Sequence, residues 1–235
     1  MSDVVTTITP SPAAALSRPG YRDPSNLTRA LTALLAASLL LDVAAMVSGI
    51  FEYRLLQDIA AGTVEGDVGA LAEANDSRQR LIGFCEIGLF IITGITFLSW
   101  IYRANVNARA LGAEGMKFTP GWSVGWFFVP VASLWKPFQA MREIWQASTL
   151  PGNWQAVPNS PVVGWWWALY IGNAILGQLA YRLGSSVDGL DSAMTASTVT
   201  TASGVVDLAL NAVSIALIAR VAANQSANAR IAEVF

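Results

Sequence analysis

Four stretches of the chain are almost empty of charge. Ala30–Phe51 carries only Asp42, Leu81–Tyr102 only Glu86, Val199–Ala219 only Asp207, and Val162–Tyr181 none at all. Each holds about 20 residues, and a helix rising about 1.5 Å per residue then crosses a hydrocarbon core of about 30 Å. Helices of a soluble bundle show a charged stripe on their outer face. These stretches show none. The pattern predicts an all-α integral membrane protein with four transmembrane helices, at about 30–51, 81–102, 162–181 and 199–219.

A fifth apolar run, Gly121–Trp135, has 15 residues. As a helix it would reach about 22 Å, short for a span. Pro130 and Pro137 interrupt it, each removing a backbone donor. It reads as a re-entrant or interfacial element over 119–148, with a tilted fifth span as the alternative. Beyond it Leu134, Phe138, Met141 and Trp145 share one helical face, while Lys136, Gln139, Arg142, Glu143 and Gln146 fall elsewhere. That suits an amphipathic helix lying in the interface or, equally, one packed on the protein's own loops. Residues 1–26 are rich in Thr, Ser and Pro and read as a disordered tail. The membrane domain is then 27–223, and 224–235 is a C-terminal tail.

Charge decides the orientation. Of 14 Lys and Arg, ten fall before the first span, between the second and third, or after the fourth. Cytoplasmic loops retain basic residues, so both termini are expected inside the cell membrane. A crossing at Gly121–Trp135 would put Lys136 and Arg142 outside, which favours the re-entrant reading. Charged residues are only 13% of the chain, about half the level of a soluble domain. The net charge of −2 gives no reason to expect a nucleic-acid partner. All nine tryptophans lie between Trp100 and Trp167. Indole favours the membrane–water interface, so lipid is the expected partner, with a protein partner possible at the cytoplasmic face.

The tryptophan-rich region also carries a family resemblance. Tyr102-Arg103-Ala104-Asn105-Val106-Asn107-Ala108-Arg109 is followed by Thr119-Pro120-Gly121-Trp122-Ser123-Val124-Gly125-Trp126-Phe127-Phe128-Val129-Pro130. Then come Leu134-Trp135-Lys136-Pro137 and Met141-Arg142-Glu143-Ile144-Trp145. This order resembles the bacterial multi-pass membrane proteins grouped as domain of unknown function 4328. The resemblance implies a bacterial inner-membrane protein and supplies no catalytic or ligand residues. The interfacial motif residues are Arg103, Asn105, Asn107, Pro120, Gly121, Trp122, Trp126, Pro130, Trp135, Pro137 and Trp145.

Candidate chemistry lies inside the spans. With no histidine and a lone Cys85, His triads, His-ligated metals and an internal disulfide are excluded. There is no phosphate-binding Gly-rich loop, and no enzyme activity, metal or cofactor is expected. Asp42, Glu86 and Asp207 all fall in the outer half of their spans, about 7 to 13 Å from the end. Asn173 lies at a similar depth, and Asn211 shares a face with Asp207. An intramembrane carboxylate is costly unless it turns inward. Such a cluster is either a cation or proton site of a small transporter or channel, or polar glue between helices. The sequence favours glue, and with it a non-enzymatic membrane scaffold or regulatory partner.

Overall fold

The computed structural model describes residues 20–234, so 1–19 of the predicted tail lie outside the described residues. All regular structure there is helical: α1 (Ser25–Ala61), α2 (Val68–Ala110), α3 (Pro120–Gly125), α4 (Lys136–Thr149), α5 (Pro161–Ser185) and α6 (Leu190–Val234). Each charge-poor stretch falls within one long helix. The helices overrun those stretches because charge ends an apolar run without ending a helix. At 37, 43 and 45 residues, α1, α2 and α6 are about 55 to 68 Å long, well beyond a hydrocarbon core. These three are long and apolar enough to cross a membrane.

Local chemistry sets the ends. Asp67 caps α2, its Oδ1 accepting from the amides of Gly69 (2.8 Å) and Ala70 (3.3 Å). Pro161 opens α5, where its missing N–H costs nothing. At the end of α1, Gly62 adopts φ 67°, with Gly62 N–H to Ile59 O and Thr63 N–H to Asp58 O. The end of α2 repeats the motif at Gly112 (φ 102°), bonding to Arg109 O, and Ala113, bonding to Ala108 O. Both are left-handed C-caps of the Schellman kind, a backbone shape that suits glycine.

The chain divides into two units. One comprises 27–99 and 160–219, with most of the four long helices. Within it the helices form a ring. Asn75 and Gln79 of α2 reach Glu52 of α1, Asn211 of α6 reaches Asp42 of α1, and Asn173 of α5 reaches Asp207 of α6. The Phe97 and Trp166 rings, 6.0 Å apart, close the ring between α2 and α5. Its outward side chains are large and apolar. Phe90 is 77% exposed and Leu40 75%, with Phe84, Ile95 and Ile175 likewise open. Water would not tolerate so wide an apolar surface, whereas lipid does.

Among the described residues the other unit comprises 20–26, 100–159 and 220–234. Trp100, Ala104, Ala108, Met141, Ile144, Trp145 and Val221 form its core. Here α6 runs on to Val234, so the segment read as a C-terminal tail is helical through 224–234. Helix α4 buries more than the four positions of its apolar face. Ala140, Glu143, Ile144, Ala147 and Ser148 are buried beside Met141 and Trp145, while Leu134, ahead of the helix, is exposed.

Gly121–Trp135 is no continuous helix. It breaks into α3, six residues long, and two single 3-10 turns at Trp126–Phe128 and Ala132–Leu134. Its longest helix reaches about 9 Å. The break follows Pro130: Val131 takes φ 65°, ψ −53°, and the Ala132 amide bonds to Pro130 O at 2.7 Å. That is a tight three-residue turn which a β-branched residue adopts only under strain.

Candidate functional site

Two regions carry the predicted site residues. In the apolar unit, Asp42 and Asp207 are half-buried. Asp42 accepts from Asn211 Nδ2 at 2.8 Å, and Asp207 from Asn173 Nδ2 at 2.6 Å. Glu86 was expected to turn inward with them but is exposed on α2, within electrostatic reach of both. Each paired carboxylate thus holds one helix to another through an amide. Ser38, on the Asp42 face, bonds its own helix at Leu34 O. Among the described residues no group of three or more His, Cys, Asp or Glu is placed to hold a metal ion.

A second polar cluster in this unit was missed by the sequence reading. Glu52 accepts from Gln79 (3.0 Å), Asn75 (3.5 Å) and Ser197 (3.0 Å), joining α2 and α6 to α1. Buried Ser48 donates to Gln79 Oε1 and accepts from Arg78 Nε at 2.8 Å. By sign alone these residues look like loop charges. The available signal was helical spacing: Asn75, Arg78 and Gln79 sit three and four apart, on one face.

The other unit holds the Arg/Asn and Trp/Pro motif. Asn105 and Asn107 are fully buried and do separate tasks. Asn105 Nδ2 donates to Phe118 O (3.0 Å) and Ser123 Oγ (2.8 Å), and its Oδ1 accepts from Arg109 Nε. Arg109 Nη2 also binds Met116 O and Phe118 O. From the other side the carboxylate of Glu143, 5% exposed, accepts the amides of Lys117 (2.7 Å) and Phe118 (3.0 Å). The loop before α3 is therefore held by side chains in place of secondary structure. Asn107 joins the chain ends. It pairs in both directions with the Arg22 backbone (2.9 and 3.1 Å) and donates to Gln225 Oε1 (3.2 Å). Gln225 in turn bonds Ala104 O and Ser148 Oγ. Arg103, on the same helix, has no partner among the described residues.

Near this loop lies a cleft of about 470 Å³, lined by Lys117, Trp122, Trp126, Lys136, Gln139 and Arg142 among others. The Trp122 and Trp126 rings lie 4.8 Å apart. Lys136 Nζ sits 5.5 Å from the Trp126 ring and 5.7 Å from Phe118, and Arg142 lies over Phe138. Thr119 Oγ1 and Pro120 start α3 beside it, the hydroxyl capping the Trp122 amide. Gly121, Pro130 and Trp135 are exposed, whereas Pro137 and Trp145 are buried in α4. The cleft offers cations and aromatic faces. It offers no nucleophile and general base in hydrogen-bond contact.

A family model described as Domain of unknown function (DUF4328) matches residues 66–223. No curated protein and no solved structure matches the chain.

Proposed function

The chain belongs to the DUF4328 family, and from that premise we propose a four-span protein of a bacterial inner membrane, acting as a non-enzymatic scaffold or regulatory partner. The observation that carries the topology is the Asn107 junction. The Arg22 backbone near one chain end and Gln225 near the other meet on one side chain. Ends held in one unit require an even number of crossings. Three helices qualify by length and hydropathy, so evenness calls for α5 as the fourth. At 25 residues α5 is long enough. Its hydropathy is lowered by Asn173, Gln178 and the Trp165–Trp167 run, and such aromatics are at home in an interfacial belt. Gly121–Trp135, broken into short turns, then dips into one face without crossing. The excess of Lys and Arg supports a cytoplasmic location for that face and for both termini.

The Asp42–Asn211 and Asp207–Asn173 pairs support the glue reading of the intramembrane carboxylates. Asparagine at 207 keeps an acceptor for Asn173, so Asp207→Asn leaves folding intact. Proton and cation flux into proteoliposomes is the test. Wild type and Asp207→Asn are both expected to match protein-free vesicles. Flux through the wild type that Asp207→Asn abolishes would replace scaffolding with carboxylate-coupled transport.

A further inference from the structure

We propose that the cleft between the α3 segment and α4 binds the phosphate of an anionic phospholipid headgroup. The idea rests on the membrane reading above and names the lipid class involved. Lys117, Lys136 and Arg142 converge on the cleft, and none has a hydrogen-bond or ion-pair partner for its side-chain charge among the described residues. The one carboxylate in the lining, Glu143, is turned to the Lys117 and Phe118 amides. Three cations against one carboxylate leave the cleft about two charges positive. Helix α4 starts there at Lys136 without a side-chain cap, which adds the positive end of its dipole.

The rim selects lipid over a soluble phosphate. Phe128 is 71% exposed and Val131 66%, and Trp122, Leu134 and Trp135 are also open. These side chains belong to the segment Trp122–Trp135, which contributes Trp122 and Trp126 to the cleft lining and leads directly into Lys136. An amphiphile matches this layout, with its phosphate among the cations and its acyl chains against the apolar rim. The cleft volume suits a glycerophosphate headgroup. The strained turn at Val131 holds two apolar side chains, Val131 and Leu134, outward beside it.

Native mass spectrometry of the full-length protein in detergent tests this, with phosphatidylglycerol, phosphatidylcholine and glycerol 3-phosphate as probes. Phosphatidylglycerol is expected to be retained, and phosphatidylcholine much less. The double change Lys136→Gln with Arg142→Gln should weaken retention by roughly thirtyfold, and Lys117→Gln, at an exposed position, by about fivefold. Arg54→Gln, at a residue outside the cleft lining, should leave it unchanged. Should the double variant melt early, the Lys117→Gln result decides. Equal retention by Lys117→Gln and wild type, or equal retention of the two lipids, overturns the proposal. Displacement of the lipid by millimolar glycerol 3-phosphate would make the site one for soluble phosphate esters and overturn the lipid assignment. A topology other than four spans would leave these results standing, so the two readings fail separately.

Discussion

Glu143→Gln is expected to destabilise the unit containing α4 by about 2–4 kcal/mol, seen as an earlier melt in detergent and faster proteolysis near Lys117. The carboxylate is 5% exposed and accepts two backbone amides, at 2.7 and 3.0 Å. Hydrogen bonds to an ionised acceptor are about twice as strong as neutral ones. Glutamine removes the charge and turns an NH2 group toward one of the amides. The loop then keeps Asn105 and Arg109, whose bonds go to Met116 O and Phe118 O, and Trp154 Nε1 on Glu114 O, but nothing holds the Lys117 and Phe118 amides as an ionised acceptor does. Cleavage at Lys117 unchanged from wild type would show that Glu143 does not hold the loop.

The second large effect is expected at Asn107. Replacement by leucine conserves the side-chain volume and removes every polar atom. Gln225 Oε1 and both polar groups of the Arg22 backbone lose their partner. Arg22 is at the surface and can hydrate if it moves away. Gln225 is 1% exposed and cannot hydrate, so the expected loss is about 2–3 kcal/mol together with release of the N-terminal segment. Thermal melting measures the first, and proteolysis after Arg22 the second. Asn107→Asp should be intermediate, since it keeps an acceptor for the Arg22 amide. A melt unchanged in Asn107→Leu would sever the link between the chain ends on which the even crossing number rests.

The long helices were legible because lipid-facing segments leave a one-dimensional signal, a run of about 20 apolar residues. Their true ends were not, because a helix needs only backbone bonds and continues through Arg103 and Arg220 alike. Asn211 was legible as a partner by its spacing from Asp207, but its bond goes to Asp42, on a helix 169 positions away. Pairing across helices is a tertiary fact that spacing on one helix does not contain. Likewise Glu143 reads as part of a polar face, and only the returning loop makes it buried. Pro130 did signal the break. The positive φ falls one residue later, at Val131, a residue type that gives no hint of it.

The central claim is that the chain crosses the membrane four times with both ends in the cytoplasm. Paired reporters measure it most directly: a fluorescent protein that matures only inside, and a phosphatase that folds only outside. Each is fused at the C-terminus and, separately, inserted in the turn between α1 and α2 near Gly62. Four spans predict fluorescence without phosphatase activity at the C-terminus, and the reverse at Gly62. Phosphatase activity at the C-terminus would contradict the claim.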